Sequence, residues 1–480
     1  MKKLLLLILM GITCNVFAQN GITWNAGINL APSSSGNEHP RIAVDGSNNP
    51  MVIWHHTSSA MFSRWNGTSF TAPVMLNPAW MTIAGASWMG PDIATHGDTV
   101  YVVFKQTPEA SDTCHIYCVS SFDGGISFNA PVVVDHISDS ISRFPTVTTD
   151  DAGNPLVGFM KFNSSFAEAR WVVAKSNDFG NTFSLDVKAS GWSSGVATVC
   201  DCCPGSLASA NNKVAMLYRD NNNNVRDIWV GFSNDTATSF SFGLNVDQQN
   251  WNLFACPSTG PDGVIIGDTL YAAFMNGASG MSTVYYSKTA ISTGVINGGV
   301  PISGSIAGLS QQNYPRIATS GNALAMVWKQ VVNGNDQCAL RFTNNSVNGF
   351  SAGYDTVDLN NITNADVALS NGNIFVVWQD DNSGTVKYRS GTYPQVTTSL
   401  NPIESTSFSV YPNPVSATLN ITSPDNQKYF VNIYNSLGET IYKSEQTSNL
   451  KLQTSNLPVG IYFLQLKSNN KIISHKFIKQ

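Results

Sequence analysis

His39-Pro40-Arg41-Ile42-Ala43 returns far downstream as Tyr314-Pro315-Arg316-Ile317-Ala318, and looser copies of the same phrase lie between them. Each copy is a turn, often with proline, then a short apolar strand, a polar hairpin, and a second strand that ends in an aromatic residue. The copies begin at Pro40, Pro91, Pro145, Pro204, Pro261, Pro315 and Ala365, so successive starts are 51, 54, 59, 57, 54 and 50 residues apart. Their second strands close on Trp54, Phe104, Phe159, Tyr218, Phe274, Trp328 and Trp378. That period is the length of a four-stranded blade with its loops. It predicts an all-β chain built as a seven-bladed β-propeller.

The composition agrees. Charged residues make up 12% and aromatics 10%, with 38 glycines, which suits many short strands joined by tight turns. A net charge of -5 and the lack of any basic run argue against nucleic acid as a partner. Lys2 and Lys3, the apolar run Leu4 to Met10 and the small-residue site Val16-Phe17-Ala18 read as a signal peptide over residues 1–18. A membrane span would need about 20 apolar residues, so this run is too short to be one. The propeller is expected over 19–395, a Thr, Ser and Pro-rich linker over 396–406, and a separate module over 407–480.

The seventh unit runs out after its third strand, near Tyr388. Gly21-Ile22-Thr23-Trp24-Asn25-Ala26 meanwhile reads like Gly125-Ile126-Ser127-Phe128-Asn129-Ala130, the end of an earlier unit. An N-terminal strand is therefore expected to complete the last blade and leave no open sheet edge.

Strand direction then selects one face. First strands start and second strands end on it, which gathers Glu38, His39, Arg41, Asp92, Arg143, Asp201, Asp262, Tyr314, Arg316 and Asp366 with His55, His56, Lys105, Lys161, Arg219, Asp220, Lys329, Gln379 and Asp380. Cations, carboxylates and aromatics in this mixture suit an anionic or hydroxyl-rich ligand such as a glycan. His39, His55, Arg143, Arg219, Trp54, Trp328 and Asp366 are the expected substrate contacts. Solvated strand ends would place polar residues there too.

Two resemblances add to this. The stretch from Phe408 carries Val410-Tyr411-Pro412-Asn413-Pro414, Leu419-Asn420-Ile421, Asn435-Ser436-Leu437-Gly438, Leu457-Pro458-Val459-Gly460-Ile461-Tyr462-Phe463 and a basic end, Lys476-Phe477-Ile478-Lys479. It resembles the type A C-terminal sorting domain of the type IX secretion system of Bacteroidota, which implies a small Ig-like β-sandwich, the outer-membrane secretion machinery as a partner, and release or display at the cell surface. The repeats carry Ser121-Phe122-Asp123-Gly124-Gly125-Ile126-Ser127-Phe128 and Ser176-Asn177-Asp178-Phe179-Gly180-Asn181-Thr182-Phe183. Both fit the Asp-box, S-x-D-x-G-x-x-[FW], and the unit resembles the sialidase-like BNR-repeat family. Worn copies have Trp65 at the Asp position and Ala237 at the Gly position. The box marks the fold and is silent on catalysis.

The resemblance to sialidases implies a carboxylate clamp of three arginines, a Tyr nucleophile activated by Glu, and an Asp acid/base. Arg41 and Arg316 would be two clamp arginines, with Arg143 or Arg219 the third. Tyr314 or Tyr218 would be the nucleophile, Asp92 the acid and Glu38 the activating carboxylate. Sialidases of that family have six blades, so the count of seven departs from the pattern. Two other functions compete with hydrolysis. A polysaccharide lyase would use His39, His55, His56, Tyr314 and Arg41, and a non-catalytic adhesive propeller would need no such set.

Cys200-Asp201-Cys202-Cys203-Pro204 and Cys256-Pro257 approach neighbouring blades on the same face. Disulfides are expected, Cys256 with one of the trio and Cys114 with Cys118. The alternative is a thiolate site in which Cys200, Cys202, Cys203 and Cys256 hold a soft or borderline metal. No cofactor is otherwise required. Calcium would sit in Asx-rich turns such as Asp150-Asp151-Ala152-Gly153-Asn154, which more often simply make hairpins.

Overall fold

The computed structural model describes residues 20–480 except 33, 111–112, 194–197, 352, 360, 396–408, 423–428, 447–449 and 469–470. The expected signal peptide and linker lie outside the described residues. The chain divides into two compact units, Met1–Val396 and Thr397–Gln480. Every regular element among the described residues is a strand, and no helix is long and apolar enough to cross a membrane.

In the first unit the described strands form seven antiparallel sheets of four or five strands, an all-β arrangement of the propeller type. The third sheet is representative, with strands Ser140–Thr149, Pro155–Asn163, Arg170–Lys175 and Val187–Lys188 paired in sequence order. Second strands are near-continuous apolar runs, as in Val100-Tyr101-Val102-Val103-Phe104, where every residue is fully buried. The reason is that they are covered on both faces by adjacent sheets, so alternation is lost. The N-terminal pieces Thr23–Trp24 and Ile28–Asn29 pair with Thr385–Thr392, with Thr23 opposite Thr392 and Ile28 opposite Tyr388. That strand is the third of the last sheet.

First strands begin earlier than the prolines suggest. The strand holding Pro40 starts at Asn37 and that holding Pro315 starts at Leu309. A register shift falls between Glu38 and Arg41, Arg143 and Thr146, Asn313 and Arg316, and Thr363 and Ala365. Proline cannot donate to a ladder, and in three of the four, at Pro40, Pro145 and Pro315, it sits at the bulge. The residue before it takes a positive φ: 53° at His39, 53° at Phe144 and 51° at Tyr314.

First strands of successive sheets lie side by side, and that of the seventh lies beside that of the first. Three carboxylates join them. Asp92 Oδ2 accepts from Val147 N (3.0 Å) and Thr146 Oγ1 (2.8 Å), Asp262 Oδ2 from Ile317 N (2.8 Å), and Asp366 Oδ2 from Ile42 N (3.0 Å). On the opposite side, Asp123 Oδ1 accepts from Ile126 N and Ser127 N at 3.0 and 2.9 Å, and its Oδ2 takes Ser127 Oγ at 2.6 Å. These bonds hold its carboxyl down at about 2, the Ser127 hydroxyl and amide contributing most. The worn copy keeps the turn: Asp235 accepts from Ser239 N at 2.9 Å, and Ala237 takes the positive φ of 60° that Gly125 and Gly180 supply elsewhere.

The second unit has two sheets. One joins Ser409–Tyr411, Thr418–Thr422 and Leu450–Gln453; the other joins Thr440–Gln446, Tyr429–Tyr434, Gly460–Ser468 and Lys471–Lys479. Val415, Leu419, Ile421, Val431, Ile433, Leu464 and Phe477 form one buried core with contributions from both.

Replacing Asp366 by Ala strands the Ile42 amide and deprives Arg316 of a buried partner, which costs about 3–5 kcal/mol. Asp123→Ala, at an exposed turn, loses much less. Denaturant midpoints of the two variants against the parent chain check the ranking.

Candidate functional site

The first strands begin around a narrow well lined by His39, Arg41, Asp92, Phe144, Tyr314, Arg316 and Asn364. Arg41, Arg316, Tyr314 and Asp92 are thus brought together as expected, but the space among them is about 50 Å³. That is room for only a few waters. Arg316 is matched internally. Arg316 Nε lies 3.2 Å from Asp366 Oδ1 and 3.4 Å from Asp262 Oδ2. Burial opposes its charge, yet Asp262, Asp366 and Asp92 outweigh burial and raise its pKa. Arg41 is buried and donates to the Pro40 carbonyl at 2.8 Å; burial and the Arg316 charge lower it to about 10.

His39 and His55 are neutral. Burial, then Arg41 and Arg316, lower His39 well below the ordinary imidazole value. Burial and His56 bring His55 to about 4. Its Nε2 accepts from Ser58 N at 3.0 Å, so the proton sits on Nδ1, 3.7 Å from Glu38 Oε2. Glu38, itself raised by burial and by Asp381, accompanies His55 and does not line the well.

The structure corrects three expected ligand contacts. Trp54 and Trp328 are 1% and 0% exposed, because second-strand aromatics pack between sheets, with their indole N–H groups bonded to Asn37 Oδ1 and Gln330 Oε1 at 3.0 Å. Arg219 is also fully buried. It donates to the carbonyls of Thr259 (3.4 Å), Arg226 (2.7 Å) and Met275 (2.7 Å), and covers the Trp251 ring at 5.2 Å. Second-strand lysines are paired as well, Lys161 with Asp186 (2.8 Å) and Lys329 with Asp336 (2.7 Å). Lys105 is buried against the Cys114 carbonyl and Ser142 Oγ.

A larger cavity of about 580 Å³ adjoins the well and shares Trp88, Met89 and Phe144 with it. This is within the range of about 300–1,000 Å³ usual for small-molecule sites. Its other walls include His55, Ile83, Gly85, Glu109, Arg143, Cys202, Cys256 and Ser258. Arg143 is bidentate to Glu109, with Nε 2.7 Å from Oε1 and Nη2 against Oε2, and its guanidinium lies 5.1 Å from the Phe162 ring centre. Trp88 and Glu109 were missed in the sequence because both lie in loops outside the repeated phrase.

Cys202 and Cys256 form a disulfide. The Sγ atoms of Cys200, Cys202 and Cys203 lie within 4.8 Å of one another. Cys114 and Cys118 are not joined. Asp150, weighed for calcium, accepts from the Ala152 and Asn154 amides of its own turn at 3.0 and 2.8 Å.

Residues 409–480 match the family described as the secretion system C-terminal sorting domain. Such tails mark proteins exported by type IX secretion to the cell surface or outside, and this chain is one of them. No curated protein matches the chain. Among solved structures, a protein of unknown function from Dyadobacter fermentans is 9% identical, over 78% of this chain and 100% of that one, with a TM-score of 0.49. An α-L-arabinofuranosidase from Fusarium graminearum is 11% identical, over 67% and 98%, at 0.46. The Trypanosoma rangeli sialidase is 10% identical, over 94% and 88%, at 0.45.

His55 should stay neutral down to about pH 4, read by histidine side-chain NMR. Between its unfolded value of about 6.5 and that point, the unfolded chain binds a proton that the folded one does not. The stability this residue confers is therefore lost as pH falls, and His55→Gln reduces that loss in denaturation curves at pH 7 and pH 4.5.

Proposed function

We propose that the first unit is a closed seven-bladed propeller that binds an uncharged, hydroxyl-rich glycan in the cavity of about 580 Å³. The observation that carries this reading is the make-up of that cavity. Trp88 and Phe144 offer aromatic faces, while the Arg143–Glu109 pair offers both donors and acceptors with no net charge. An ion pair of this kind suits hydroxyl groups. A substrate carboxylate would have to displace Glu109 to reach Arg143.

Pairing of Arg316 with Asp262 and Asp366, in a well with room for only a few waters, speaks against an arginine clamp for an anionic sugar. It favours binding over sialidase-type hydrolysis or uronate β-elimination. The blade count is supported by the seven sheets and by the neighbouring of the seventh first strand with the first. Pairing of the N-terminal strand with Thr385–Thr392 supports closure of the ring. With a sorting tail behind it, the propeller works at or beyond the cell surface as an adhesive or glycan-capturing module.

The full chain, tested on arrayed neutral, sialylated and uronate glycans, should retain neutral glycans and release no sugar or unsaturated ends. Trp88→Ala should weaken retention at least tenfold without moving the melting temperature by more than a few degrees. Release of sialic acid or of unsaturated uronate would overturn the binding reading. Removing residues 409–480 should leave the protein in the periplasm, checked by cell fractionation.

A further inference from the structure

Four cysteines cluster beside the large cavity, and two of them, Cys202 and Cys256, line its wall. Cys256 is exposed and bonded to Cys202, which is half-buried; Cys200 and Cys203 are fully buried free thiols. Cys200 Sγ lies 3.5 Å from Cys202 Sγ and 3.1 Å from Cys203 Sγ, and Cys202 and Cys203 are 3.9 Å apart. Sulfurs at such distances are in contact. The backbone closes tightly here, with Cys203 N donating to the Cys200 carbonyl at 3.3 Å. Arg226 Nη1 donates to Cys200 Sγ at 3.0 Å, and its Nε donates to the Leu253 carbonyl at 3.3 Å, in the segment that leads to Cys256. A guanidinium on a sulfur favours the thiolate, which is the attacking species in disulfide exchange.

We propose that Cys200, Cys202, Cys203 and Cys256 form a thiol–disulfide relay, in which a disulfide at the cavity wall exchanges with a buried dithiol. In the first step the Cys200 thiolate attacks Cys202 Sγ. The Cys200–Cys202 bond forms, the Cys202–Cys256 bond breaks, and Cys256 leaves as a thiolate that takes a proton from water. In the second step Cys203 gives up its proton and attacks Cys200, closing Cys200–Cys203 and releasing Cys202, which is protonated in turn. One disulfide and two thiols remain at each stage, so no oxidant is consumed. The outer pair, half-buried Cys202 and exposed Cys256, is then open to small-molecule or protein disulfides outside the cell. The inward form unties residues 256–258 from the approach to the fourth sheet, and Cys202, Cys256 and Ser258 all line the cavity. The redox state of the surroundings thereby sets how firmly that wall is held.

The full chain is equilibrated without oxygen over a series of glutathione to glutathione disulfide ratios, quenched with acid and alkylated. The labelled positions are then read by peptide fragmentation. Where two of the four sulfurs are reduced, the relay gives two labelling patterns, one at Cys200 and Cys203 and one at Cys202 and Cys256, in a ratio that is the same from the reduced and the oxidised side. Arg226→Gln should slow the approach to that ratio at least tenfold, and Cys256→Ser should leave Cys200 and Cys203 linked to each other. A single pattern at every ratio in the parent chain would overturn the relay. So would thiols that stay blocked until a chelator removes a bound metal, since the cluster would then be a metal site.

Discussion

Three carboxylates hold the centre of the first unit together. Each of these side-by-side first strands is paired to its own second strand on one edge only, so amides on the other edge face a neighbouring sheet with no ladder to join. Buried amides need partners. Asp92, Asp262 and Asp366 meet that need at three junctions by reaching from one first strand to the next. Two of them also cap their own strand, Asp92 through Ile93 N at 3.0 Å and Asp366 through Val367 N at 2.9 Å. The arginines of the repeated phrase follow from this arrangement. Arg316 fits between two of these carboxylates, and its charge offsets theirs.

That arrangement moves the ligand chemistry away from the axis. Arg316 is committed to two of these carboxylates and Arg41 to the Pro40 carbonyl, and the well beside them has room for only a few waters. Room for a ligand opens instead above the second and third sheets, where loop residues Trp88 and Glu109 meet Arg143 and the Cys202–Cys256 bridge. Rigidity at the centre and variation in the loops are complementary. The carboxylate frame fixes the ends from which those loops depart, and the loops supply the surface that a ligand meets.

The repeat was legible because each unit restates the same physical problem: a buried second strand, a bulge at proline and a tight Asp-box turn. Aromatic residues at second-strand ends were legible as features of the fold, while their role as ligand contacts was misread. Trp54 and Trp328 close the space between sheets, a requirement that also explains their recurrence. Partner choice was hidden. Lys161 meets Asp186 and Arg143 meets Glu109 across 25 and 34 residues, distances over which sequence carries no pairing signal. The cysteine trio was visible as a cluster, but its choice of Cys202 for Cys256 depends on side-chain direction within a turn. Strand starts were placed late because proline marks the bulge, with ladder pairing already established before it.

The N-terminal strand has a mechanical consequence. The last strand of the first unit is Thr385–Thr392, and it is gripped on both sides, by Asn373–Asp380 and by Thr23–Trp24 with Ile28–Asn29. Tension applied through the chain that follows enters the unit at an interior strand. An edge strand can be peeled away one hydrogen bond at a time. An interior strand gives way only when the bonds along both of its flanks yield, so the joint that carries the load is held from the far end of the chain.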